Sequence, residues 1–284
     1  MCHNEPDRNL RILKIIFQGS ERKKMNKYLE ERAARYGEFF ALETPGKLLT
    51  DRMRDFNLDR ELTDKLARFN IEWHFVPSAD ALPFDEKYVR RMYPTVTREF
   101  HKTKPGGASI FQYLANGHRR QQGYVVGIET TQKPVYLPSN RQFYGTRYGH
   151  DAFQDPFAEY MGASEMTNGM RFDHNYLLIR RFFEIVNEDW KRRNLIPDGY
   201  RVTLCPPAIF NLIGNVFHPE WSETESLELS FYRDERGNAT VFTVGANAPG
   251  DFSFVDVLES EGDLKMTGFR IALLPDETRY DAGK

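Results

Sequence analysis

Only two of the 284 residues are cysteines, Cys2 and Cys205. A disulfide framework is therefore not what holds this chain together, and a reducing compartment is the simpler setting. Long apolar runs are missing as well. The apolar stretch near the N-terminus, Ile12 to Phe17, is broken by Lys14 and is far shorter than a signal core or a membrane span. A soluble, cytoplasmic protein with no membrane partner is expected. The chain also lacks a Gly-x-Gly-x-x-Gly turn, a Gly-x-Ser-x-Gly elbow, paired Cys-x-x-Cys motifs and any internal repeat. Dinucleotide binding, serine-hydrolase chemistry and zinc-ribbon architectures thus have no signature here.

What is present is unevenly distributed. The formal net charge is only −2 and excludes no class of partner. Yet Arg8 to Arg35 carries nine Lys/Arg against three Glu, whereas Phe217 to Asp263 carries eleven Asp/Glu against two Arg. Either folding brings these segments together as complementary surfaces, or they form separate binding faces. Aromatic residues make up 14% of the chain, enough for a large core or a stacking surface.

Periodicity gives an outline of the fold. Ile12 to Phe17 reads as a short strand, followed by a helix that Ser20 caps and Gly37 ends. "NLDRELTDKLARFN" reads as a second helix with Leu58, Leu62 and Leu66 on one stripe, and "IEWHFV" as a strand. "YVVGIE" is a further strand, Gln132 to Gly162 is mostly loop, and Asp173 caps a core helix carrying Ile179, Phe183, Val186 and Trp190. "YRVTLC", "SLELSFY", "ATVFTVG", "FSFVDVL" and "FRIALL" then form a run of strands, with "RDERGN" as a hairpin loop. Helices in front and consecutive strands behind predict an α+β fold, a helical N-terminal layer on a mostly antiparallel, barrel-like C-terminal sheet. The chain is expected to form one unit, within which residues up to roughly 105 could be a helical subdomain.

The segment "VFHPEWSETESLELSFY" holds one histidine and four glutamates beside a strand pattern. If the strand begins at Trp221, Glu223 and Glu225 share a face with Leu227, Leu229 and Phe231, and buried carboxylates there require a cation or strong donors. If it begins at Ser226, those glutamates are solvated and Glu228 lies on the polar face. His150 in "GHDAFQDP" and His174 in "RFDHNY" are further imidazoles. Three histidines, His150, His174 and His218, suit zinc or iron, with Glu220 as a fourth ligand or general base. The His218 to Glu220 region distantly resembles the metal-binding strands of cupins, with Glu220 where the second histidine of that pattern falls. Glu223, Thr224 and Glu225 are similar to the paired glutamates of ADP-ribosyltransferases, but the supporting Ser-Thr-Ser is missing, and that chemistry is not adopted.

A second chemistry is written into the middle of the chain. Lys102 and Lys104 precede Gly106 and Gly107, a turn able to hold phosphate, and Arg119, Arg120, Lys133, Arg141 and Arg147 alternate with Tyr124, Tyr136, Phe143, Tyr144 and Tyr148. The leading expectation is a metal-dependent enzyme, of hydrolase or oxygenase type, acting on a small polar or anionic substrate held by Arg141, Tyr144 and Arg147. The alternatives are a non-catalytic phosphate- or nucleic-acid-binding protein using residues 102–148, and an interaction protein with an acidic C-terminal surface.

Overall fold

Two four-stranded sheets carry the architecture of the computed structural model. The structure describes residues 25–54, 56, 60–94, 123–131, 155–166, 171, 174–223, 227–233, 239–245, 254–257 and 267–276. The first sheet contains β1 (Ile71–Val76), β2 (Tyr124–Glu129), β3 (Tyr200–Leu204) and β8 (Ile271–Pro275) in the order β1-β2-β8-β3, every pair antiparallel. The second contains β4 (Leu227–Arg233), β5 (Ala239–Gly245), β6 (Phe254–Val257) and β7 (Thr267–Phe269) in the order β6-β5-β4-β7. Its β4–β7 pairing is parallel and the others antiparallel. The fold is α+β, as the sequence predicts; both sheets are open among the described strands, so barrel closure is not seen there.

The helices are α1 over residues 25–40, the short α2 (Asp51–Arg54), α3 (Arg60–Ala67), α4 (Glu86–Met92), α5 (Ala158–Ala163), α6 (Tyr176–Arg192) and α7 (Pro207–Phe217). On α1, Leu29, Arg32, Ala33, Tyr36 and Phe40 are buried, the spacing of one helical face. Arg32 is the foreign member of that stripe, a charge on the side turned inward. Gly37 does not end this helix. The turn comes at Ala41, whose φ of 52° is left-handed, and the Leu42 N–H reaches back to the Gly37 carbonyl at 2.9 Å. Gly37 is instead a close-packing position, since a Cβ there would lie 2.7 Å from Pro45 Cβ.

Helix α6 has the predicted stripe, with Ile179, Phe182, Phe183, Val186 and Trp190 buried. Each such side chain contributes about 1.5–3 kcal/mol by leaving water. Its cap is Asn175 rather than Asp173: the Asn175 side chain accepts the Leu178 N–H at 3.0 Å. Between Gln132 and Gly162, expected to be mostly loop, α5 provides a short helix. Ser20, the 12–17 strand and the 102–109 turn lie outside the described residues.

Helix α7 has no counterpart in the sequence reading. Pro207 occupies its first position, where a missing N–H costs nothing, and nearly every side chain along it is buried. It packs against β4, β5 and α4. "FRIALL" also differs from expectation, because it is two strands that belong to different sheets and meet at Arg270. Arg270 joins them. Its guanidinium donates to the Glu228 carboxylate on β4 at 2.9–3.2 Å, and to the carbonyls of Glu129 and Thr131 at the end of β2 at 2.6 and 3.1 Å. Glu228 is therefore buried beneath Arg270 and does not lie on a wet strand face.

A second buried charge network lies alongside. Arg171 grips Asp155 through two contacts of 2.6 Å and Glu129 through contacts of 2.5 and 2.7 Å. Burial alone would lower the Arg171 pKa, but the carboxylates of Asp155 and Glu129 outweigh it and hold the guanidinium charged. Among the described residues no helix is long and apolar enough to cross a membrane.

Candidate metal centre

Strand β1 is an edge of the first sheet, and its even-numbered residues share one face. Glu72 and His74 are therefore neighbours on that face. Against this face stand Arg32 from α1 and Phe217 and His218 from the C-terminal end of α7. Arg32 contacts Glu72 Oε1 and the Tyr28 hydroxyl, with its guanidinium carbon 4.4 Å above the Tyr28 ring and 4.8 Å from the Phe217 ring. The Tyr28 hydroxyl donates to the Trp73 carbonyl at 2.9 Å, which ties α1 to β1.

His218 is the C-cap of α7, and its N–H satisfies the Ile213 and Gly214 carbonyls. The chain then turns through a 3-10 segment, Pro219–Glu223, before pairing begins at Leu227. Trp221 and Glu223 lie in this 3-10 segment, so an extended row does not begin at Trp221; Glu225 lies outside the described residues. The cupin likeness also fails in geometry, because His218 and Glu220 occupy a helix end and a turn rather than a barrel strand. What the turn does achieve is to set Glu220 Oε1 2.8 Å from His218 Nδ1 and to stack the buried Trp221 ring on the His218 ring at 4.6 Å and 9°.

A carboxylate only accepts, so the hydrogen bond to Glu220 fixes the neutral His218 proton on Nδ1. Its Nε2 then presents a lone pair. That atom is buried, has no hydrogen-bond partner and faces Glu72 Oε2 at 3.5 Å. Two acceptors are thus directed at one another with no proton between them.

His74 repeats the pattern more severely. The residue is 0% exposed, neither ring nitrogen has a hydrogen-bond partner, and Nε2 stands 3.5 Å from Glu72 Oε1, too far for a normal bond. Burial pushes its pKa well below the usual histidine value, and Arg32, His218 and Arg35 push in the same direction. Burial also lowers His218, opposed by Glu220. Both rings are consequently neutral near pH 7, the form that ligates metals.

One ligand atom from each of Glu72, His74 and His218 lies within 4.8 Å of the others. Bonds of about 2.0–2.2 Å to one ion place neighbouring ligand atoms roughly 3–3.5 Å apart; His74 Nε2 and His218 Nε2 each meet this spacing, but to different Glu72 oxygens, Oε1 and Oε2, so a single ion requires both oxygens or a rotation of the carboxylate. Two imidazoles and one carboxylate form a donor set suited to zinc or iron(II) that leaves coordination positions open. Access comes from the carboxylate side, since Glu72 retains 32% and Glu220 50% of its side-chain exposure.

Of the residues selected from sequence, His218 and Glu220 meet at this place. His174 is buried immediately before the Asn175 cap of α6 and does not belong to the Glu72 group. His150, Arg141, Tyr144 and Arg147 lie outside the described residues, as does most of the 102–148 basic-aromatic segment. Glu72 and His74 were missed. Their signal was a carboxylate and an imidazole two residues apart on a strand, which places both on one face. No protein-family model matches the chain, nor does any curated protein or solved structure.

Proposed function

We propose that this chain is a metal-dependent enzyme acting on a small polar or anionic molecule, with a divalent ion held by Glu72, His74 and His218. The observation that carries the reading is the pair of buried, neutral imidazoles whose Nε2 atoms lack partners and face opposite oxygens of one carboxylate. Leaving such groups unsatisfied costs about 1–3 kcal/mol each, and a shared cation removes that cost. Zinc would lower the pKa of a bound water to about 7 and polarise a carbonyl or phosphoryl oxygen, which is hydrolase chemistry; iron(II) in the same ligand set suits oxygenase chemistry. Glu220, bonded to His218 Nδ1, orients the ligand ring and raises its basicity rather than standing free as a base.

Chelator-stripped protein dialysed against zinc, iron(II) or manganese is expected to retain one equivalent of metal. A folded His74→Leu/His218→Ala double variant is expected to retain none. Failure of the wild-type chain to retain any of the three ions would overturn the reading. With stoichiometric metal in hand, ester and phosphoester hydrolysis by the zinc form and oxygen consumption by the iron form separate the two chemistries.

A further inference from the structure

We infer that Arg32 is the anion-binding group of this centre, so that the substrate carries a carboxylate or phosphate; the inference rests on the metal reading above. Arg32 sits on the buried stripe of α1 with its guanidinium between the Tyr28 and Phe217 rings, and it is 8% exposed. One nitrogen, Nη2, is committed to Glu72 Oε1 and the Tyr28 hydroxyl. The Nε atom is buried with no partner. A charged donor left open in that way, beside a cluster of candidate ligands, lacks an acceptor that the described residues do not supply.

Charge balance leads to the same place. A divalent ion brings two positive charges, Arg32 a third, and Glu72 and Glu220 together supply two negative ones. One positive charge remains unbalanced, with His74 and His218 neutral and the exposed Arg35 adding a further cation near the Phe217 ring, 5.7 Å away. An anionic group that touches both the metal and the Arg32 Nε–H removes the excess. A neutral polar molecule does not. Arg32 is well suited to the task because its plane is already held by two aromatic faces, so little freedom is lost when the anion arrives.

The probe is cobalt(II), which reports its ligands through visible absorption, in the full-length chain. Acetate and inorganic phosphate are titrated separately into the cobalt-loaded wild type, Arg32→Gln and Arg32→Lys, with folding checked by circular dichroism. Arg32→Gln is expected to bind cobalt at least as tightly as the wild type, since a repelling charge has gone, while its affinity for the anion falls about tenfold or more. Arg32→Lys, which keeps the charge and loses the Nε–H donor, falls in between and serves if Arg32→Gln does not fold. A response to acetate but not phosphate, or the reverse, identifies the anion class. Equal anion affinity in the wild type and the folded variants would overturn the assignment of Arg32 while leaving the metal site standing. Parallel loss of cobalt and anion would reduce Arg32 to a structural residue. No cobalt binding in the wild type would sink both.

Discussion

Replacing His74 by leucine separates a functional histidine from a structural one. His74 is completely buried, makes no hydrogen bond through either ring nitrogen and packs its ring 4.8 Å from Phe217. Leucine has nearly the same volume and leaves nothing polar behind. His74→Leu is therefore expected to stabilise the metal-free chain at neutral pH by about 1–3 kcal/mol, the cost of an unsatisfied buried group. The gain should widen in acid. Because burial, Arg32, His218 and Arg35 depress the folded-state pKa of His74, the unfolded chain binds the extra proton first. Stability of the wild type is then lost as pH falls below about 6.5, by up to about 1.4 kcal/mol per pH unit, until the folded-state pKa is reached. Glu72, 3.5 Å away, works against this by favouring the protonated ring. Urea unfolding of both proteins from pH 7.5 to 5 measures the difference curve. A variant less stable than the wild type at pH 7.5, with a difference that does not change with pH, would show that His74 is a satisfied core residue and refute the reasoning.

Two other substitutions probe neighbouring parts of the structure. Arg171→Met leaves the Glu129 and Asp155 carboxylates buried without their cation and should cost about 3–5 kcal/mol in urea unfolding; a cost below about 1 kcal/mol would mean that the network is not closed as described. Glu220→Ala removes an exposed side chain, so stability should change by less than about 0.5 kcal/mol, whereas zinc affinity in a competition titration should fall about 10–100-fold as His218 loses its orienting partner. Unchanged affinity would remove Glu220 from the site.

Strand β3 and helix α6 were legible because each buries a face at the period of its own geometry, two for the strand and 3.6 for the helix, whereas β1 and β2, buried almost throughout, were legible as short runs rich in β-branched and aromatic residues. Helix α7 was not, for the converse reason. It is buried almost all round, from Pro207 to Phe217, with Asn211 inside, so "PAIFNLIGNV" carries no charged face, and its leading prolines read as the end of a strand rather than the start of a helix. Gly37 was misread because a glycine in a helix pattern is equally compatible with a stop and with a close contact, and only the Pro45 side chain decides between them. Nothing local marks Arg270 as the joint between the sheets, since its partners Glu228, Glu129 and Thr131 are 42, 141 and 139 residues away in the chain.

The candidate site was half legible on the same grounds. His218 and Glu220 are close in sequence, and their proximity survives folding even though the turn between them is a 3-10 segment rather than a strand. Glu72 and His74 are separated from His218 by more than 140 residues, and contact between β1 and the C-terminal end of α7, at Phe217 and His218, brings them together. In sequence, "IEWHFV" is indistinguishable from a core strand with a polar face.

X-ray absorption at the metal edge of zinc-reconstituted protein addresses the centre most directly. The account predicts a first shell of nitrogen and oxygen at about 2.0–2.1 Å, with outer-shell scattering that fits two imidazoles in the wild type and one in the His74→Leu variant. A wild-type shell without imidazole, or one that His74→Leu leaves unchanged, would contradict it.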